Sequence, residues 1–194
     1  MRHVVNEVHR EASQVAALRQ QVAEHTREMN DGYGRAEFLA MNPDLDDDGI
    51  GTAIYWDTYF GADKDRHHAQ RALTPLEAQF AVHRFSVEAL SGSLLQYAKQ
   101  GISMRWGPQK AAAPAGRQIH GIDLVELIWH GRNQAIHWED GEFNKSTDAV
   151  LSALAQAEPT VGDYATRSIA YDVVVMLGWT GWGDFERDML SLDP

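Results

Sequence analysis

The chain has 194 residues, 44% hydrophobic and 23% charged, a composition that fits one globular domain with a sizeable core and excludes collagen and intrinsic disorder. Seventeen Lys and Arg stand against 28 Asp and Glu, and the formal net charge of -11 repels polyanions, so any nucleic-acid contact has to be local. Without cysteine there is no disulfide framework and no thiolate metal site, which makes a reducing cytoplasm the expected compartment; the polar start Met1–Glu7 carries no readable export signal, and the longest apolar run, Val173 to Leu177, is far short of the roughly 20 residues that span a bilayer.

Apolar or neutral positions at Val4, Val8, Val15, Leu18, Val22 and Met29 predict a helix over 2–29, with Asn30-Asp31-Gly32 as its stop. A shorter helix over 34–41 is barred from continuing by Asn42-Pro43. Residues 42–72 read as irregular: an acidic loop, then an ambiguous stretch in which Ile50, Thr52, Ile54 and Trp56 alternate without a partner strand. Asp44-x-Asp46-x-Asp48-Gly49 resembles the first half of a calcium loop, but Gly51 and Tyr55 stand where an aliphatic residue and a bidentate glutamate belong. It reads as an acidic turn, and no metal site is expected.

Thr74-Pro75-Leu76-Glu77 combines an N-cap, a first-turn proline and an acidic third position, predicting the start of a long helix. Its seam runs through Leu76, Phe80, His83, Val87, Leu90, Leu94 and Tyr97, and Gly101 ends it. Residues 103–119, rich in Gly, Pro and Ala, read as a mobile loop. Asp123 with Glu126 forms a second capping-box pattern opening a helix through Leu124, Leu127, Ile128 and Ile136. Further helices are expected at about 147–157, 163–178 and 183–191, with Trp179, Trp182 and Phe185 as core or docking anchors. No repeat or second domain boundary is visible, so the class is all-α, a single-domain helical bundle over 1–194 with its core at approximately 75–178.

The chemistry-bearing constellation is Trp129-His130-Gly131-Arg132-Asn133-Gln134-Ala135-Ile136-His137-Trp138. Asn133 and His137 are four apart and share a helical face, and Arg132 sits one residue before it. Arginine can bind a phosphate bidentately, histidine can move a proton near neutral pH, and the amide can hold imidazole or ribose, a set suited to phosphodiester chemistry. The competing reading is a surface ion-pair helix, with Arg132 paired to Asp140 or Glu126 and His137 half-buried. From Lys99 to Ile122 the chain carries four basic residues, Lys99, Arg105, Lys110 and Arg117, and no acid. With Trp106 as a stacking surface, this stretch is a candidate contact for single-stranded RNA; the plainer alternative is a solvated linker.

Arg132-Asn133-x-x-x-His137 resembles the R-x4-6-H signature of the HEPN superfamily, in which a polar Asn, Asp or His typically follows the arginine. Arginine and histidine with four to six residues between them occur three times, also at Arg2 to His9 and Arg19 to His25; only Arg132 is followed by Asn. Membership would imply a small all-α bundle and a metal-independent, cofactor-free endoribonuclease with catalytic Arg132, Asn133 and His137. It would also imply a composite site in a homodimer, RNA as substrate, and a toxin or antiphage-defence setting with an antitoxin or defence-system partner. In one branch a tyrosine two residues after the motif histidine is nucleotidylated; here that position is Glu139. The alternative is a non-catalytic helical module binding a nucleotide or a protein, with the acidic surface as its recognition face.

Overall fold

The computed structural model describes residues 1–41 and 50–193, with side chains described for 1–31 and 67–193. The fold is all-α: α1 Arg2–Met41, α2 Ile50–Trp106, α3 Leu124–His137, α4 Lys145–Ala157, α5 Ala170–Met176 and α6 Trp182–Ser191. A minimal antiparallel hairpin, β1 Gln118–Ile119 with β2 Ile122–Asp123, precedes α3. By contacts the chain divides into two compact units, residues 1–12 with 84–194, and residues 13–83; α1 and α2 contribute to both.

In the unit of residues 13–83, Val15, Leu18, Val22 and Met29 are half-buried, as their spacing predicts. Three breaks expected from local signals are not taken. Asn30-Asp31-Gly32 lies inside α1, because one glycine costs a helix only about 1 kcal/mol relative to alanine. Residues 50–72, expected to be irregular, are helical, and Thr74-Pro75 lies inside α2 instead of starting it. The Thr74 hydroxyl donates back to the Gln70 carbonyl at 3.3 Å, not forward as a cap. An interior proline costs about 3 kcal/mol, here offset by uninterrupted helix on both sides. The Asp44–Asp48 acidic turn lies outside the described residues.

The unit of residues 1–12 and 84–194 is built around α3, which packs against α4 and α5. Leu124, Leu127 and Ile128 on α3 are fully buried, with Leu151 and Leu154 of α4 and Ala170, Val173 and Val174 of α5. From α2 come Val87, Leu94, Leu95, Ala98 and Ile102. Fully burying a side chain such as leucine contributes about 1.5–3 kcal/mol, so these positions dominate the unit's stability. The α2 stripe is rotated from the predicted seam: Ser91 is buried, whereas Tyr97 is 44% exposed. Helix α2 also continues past Gly101 to Trp106. From α1, Val5 and Val8 enter this core, and His9 Nε2 lies 2.7 Å from the Trp179 carbonyl.

Helix α4 is capped by Asn144, whose side chain accepts from the Thr147 amide at 2.9 Å. The single helix expected over 163–178 is instead a turn followed by α5. The reason is side-chain competition for the backbone. Buried Gln134 donates to the carbonyls of Tyr164 and Arg167 at 2.7 and 2.6 Å and accepts from the Ile169 amide at 3.0 Å. Arg167 donates to the carbonyls of Thr160 and Ser168, while Asp163 and Asp172 accept from its guanidinium. At α6, Trp179 and Phe185 are buried edge to face, with centroids 4.9 Å apart, the anchoring role expected of them.

Candidate functional site

Close packing places the motif helix. The hairpin turn at His120-Gly121 has left-handed φ at both central residues, 51° and 79°, a two-residue geometry that turns the chain directly into α3. Asp123 precedes the helix as predicted, but the capping box does not form: the Asp123 carboxylate accepts from Gln118 at 3.3 Å and Glu126 turns toward Lys110 and His130. Gly131 faces the core, where a Cβ would meet the two Val173 methyls at 3.0 and 3.3 Å. Gly92 on α2 similarly approaches Ala135, its built Cβ 3.3 Å from that of Ala135. This contact brings α2 against the motif helix and carries Gln96, one turn further along α2, to Arg132.

Arg132 is half-buried and held by two amides. Its Nε donates to Gln96 Oε1 at 2.5 Å and its Nη1 to Asn133 Oδ1 at 3.0 Å. The carboxylates named as its partners in the ion-pair reading are engaged elsewhere. Asp140 lies with Oδ2 3.0 Å from His137 Nδ1, and Glu126 Oε2 contacts Lys110 and His130. Among the described residues no carboxylate comes within ion-pair distance of Arg132. His137, the last residue of α3, is 53% exposed, and so more open than half-buried. A carboxylate only accepts, so Nδ1 carries the proton, and in the neutral ring Nε2 holds the lone pair. Among the described residues no hydrogen bond joins Arg132 or Asn133 to His137, although all three lie on one helix.

The basic stretch is engaged within the chain. Lys99 Nζ stands 4.7 Å from the centroid of Trp129; Arg105 pairs with Asp193 at 2.8 Å and lies 5.1 Å over Trp106. Lys110 Nζ contacts Glu126 Oε2 at 2.5 Å and His130 Nε2 at 2.9 Å. Arg117 donates to both oxygens of Asp188 at 2.7 Å and to the Leu177 carbonyl. Nor is 103–119 simply a loop. It contains the end of α2, a 3₁₀ turn at Lys110–Ala112 and all of β1, and Gly116 packs so closely that a Cβ would meet Leu124 and Leu192 at 2.9 Å. Arg105 and Asp193 are both more than half exposed, so that pair is worth little, and Arg105 can exchange it for another anion.

Beneath the motif lies a second cluster. His130 is 2% exposed, with Nδ1 2.9 Å from Thr147 Oγ1 and Nε2 facing both Lys110 and Glu126. Burial, then the Lys110 ammonium, holds its pKa below the ordinary 6.5, against the opposing pull of Glu126. In a neutral ring Nδ1–H donates to Thr147 and Nε2 accepts from Lys110, whose ammonium also holds the Glu126 carboxylate that lies 3.0 Å from Nε2. His130 therefore braces α3 against α4 and cannot reach a substrate. Trp129 and Gln96 are site neighbours that residue spacing did not single out. Trp129 carries a signal, standing four residues before Asn133 on the same face, whereas Gln96 has none, being 36 residues from Arg132 in sequence.

Among the described residues no group of three or more His, Asp or Glu side chains is arranged to hold a metal ion, and no helix is long and apolar enough to cross a membrane. No protein-family model, curated protein or solved structure matches this chain.

Proposed function

We propose that this chain is a metal-independent endoribonuclease of HEPN type, in which Arg132 binds the scissile phosphate and His137 transfers a proton. The observation that carries the reading is the state of Arg132: a half-buried guanidinium, oriented by two neutral amides, with no carboxylate among the described residues to cancel its charge. Such a group is arranged to receive an anion, and an exposed imidazole with Nδ1 engaged by Asp140 stands at the end of the same helix.

In the reaction a base removes the 2′-hydroxyl proton as O2′ attacks phosphorus. The P–O5′ bond breaks and an acid protonates the departing O5′, leaving a 2′,3′-cyclic phosphate and a 5′-hydroxyl. Neutral His137 serves as the base through Nε2. The acid has to be a second group, and buried His130 cannot supply it, so a homodimer contributes the other His137 together with a second Arg132. A toxin or antiphage effector, restrained by an antitoxin or defence-system protein, is the setting such an enzyme fits. RNA cleavage should proceed in excess chelator and fall by about 10² or more in His137→Ala, the usual loss when an acid-base group is removed. Cleavage unchanged in both His137→Ala and Arg132→Ala eliminates the proposal.

A second reading, a non-catalytic helical module for a nucleotide or protein, is favoured by a different observation. All four cations of the basic stretch already have partners inside the chain, which carries a net charge of -11. Under that reading RNA or nucleotide is bound or ignored but never cut.

A further inference from the structure

We infer that Gln96 on α2 is a positioning residue for Arg132, and that its neutral amide preserves the guanidinium charge for a phosphate; the inference rests on the phosphate-binding role proposed for Arg132. Three observations converge. Gln96 Oε1 accepts from Arg132 Nε at 2.5 Å, a contact between helices made possible by the close approach of Gly92 to Ala135 one turn away. Asn133 Oδ1 accepts from Nη1 at 3.0 Å, so the guanidinium is gripped at two of its corners. Both acceptors are amides. Elsewhere in the same unit Arg10, Arg105, Arg117, Arg167 and Arg187 are met by carboxylates, whereas Arg2 lies over the Trp182 ring.

The chemical consequence follows from counting donors. A guanidinium has five N–H groups. Gln96 and Asn133 take one each, leaving both hydrogens of Nη2 and one of Nη1, enough for a bidentate contact to a phosphate. A glutamate at 96 could occupy the same place and accept the same hydrogen bond, but would cancel the charge the phosphate needs. Position 96 thus separates two properties usually altered together, the orientation of the arginine and its availability to an anion.

The test compares Gln96→Glu, Gln96→Met and wild type in the full-length chain. It measures thermal melting, affinity for a fluorescently labelled mixed-sequence single-stranded RNA over a salt series, and cleavage in chelator. Gln96→Glu should melt at or above the wild-type temperature yet bind RNA about tenfold or more weakly, with a shallower salt dependence, because one phosphate contact is lost. Gln96→Met keeps the charge and loses the acceptor, so kcat should fall more than KM rises. A merely structural glutamine predicts instead that Gln96→Glu binds and cuts as wild type does, and that result overturns the inference. Should Gln96→Glu melt too early to assay, unchanged kcat in Gln96→Met overturns it equally.

The two ideas fail separately. Cleavage lost in His137→Ala and Arg132→Ala but untouched by either Gln96 variant removes only the role of Gln96. Wild type that binds RNA without cutting it, and loses affinity in both Arg132→Ala and Gln96→Glu, removes the ribonuclease and leaves the anion site standing. Wild type that binds no RNA removes both.

Discussion

Arg117 and Arg132 lie at opposite ends of the same short stretch of chain and are used in opposite ways. Arg117 meets Asp188 through Nε and Nη2, and the same carboxylate accepts from Trp179 Nε1 at 2.8 Å; Asp188 is only 7% exposed. The hydrogen bonds to Asp188 raise the already high pKa of Arg117, and the charge is spent locally. This is a staple joining the segment before α3 to α6. Arg132 is as well oriented, but by amides, and among the described residues no carboxylate pairs with it. Basic residue type therefore says little about anion binding; the identity of the acceptor does.

The comparison breaks most sharply on stability. Asp188→Ala leaves the Arg117 guanidinium and the Trp179 indole N–H without their acceptor, and should cost on the order of 3 kcal/mol in denaturant unfolding. Arg132→Ala removes contacts to two amides that water can replace, and should cost less than about 1 kcal/mol while removing RNA affinity. Equal losses in the two variants would mean that Arg132, too, is a structural arginine.

Salt sharpens the same contrast. Arg132→Gln should lower the slope of log affinity against log salt by about 0.7, the value for one single-strand phosphate contact. Arg117→Gln, assayed at a temperature where it remains folded, should leave the slope as it is. A drop in the Arg117 variant instead would show that the staple opens when RNA binds.

The smallest effect is one of pH, and it belongs to the brace beneath the motif. The folded pKa of His130 lies below its ordinary 6.5, so between these two values the unfolded chain holds a proton that the folded chain resists. Its contribution to stability is complete above 6.5 and declines as pH falls toward the folded value. Glu88 has the opposite sign. Burial raises its pKa above 4.5, with Asp172 adding to the rise, against the Tyr171 amide, the Ser168 hydroxyl and Arg167, so its contribution is lost as pH rises past 4.5. Melting temperature should decline on acidification from about pH 7 to 6, and His130→Gln should flatten that decline. A wild-type curve flat across this interval would mean that the Lys110–His130–Glu126 cluster tolerates the imidazolium.

Much of the helical framework could be read locally. The starts of α3, α4 and α6 fall within two residues of their expected positions, because three-four apolar spacing and the residues beside it act within one turn of helix. The stop read at Gly32 and the start read at Thr74-Pro75 misled for the complementary reason: a local signal worth 1 to about 3 kcal/mol yields to the helix around it. The hairpin was too short to show alternation, although His120-Gly121 was a usable turn signal.

The sequence by itself determined the all-α class and the placement of Arg132, Asn133 and His137 on one helix, since both depend on periodicity and short-range spacing. Only the tertiary structure decided which cations meet carboxylates and which meet amides or aromatic rings. Lys110 finds Glu126 and His130, Arg117 finds Asp188 71 residues away, and Arg132 finds Gln96 36 residues away. Coulomb and hydrogen-bond partners are chosen by distance through space, and helix packing, through contacts as small as Gly92 on Ala135, sets those distances.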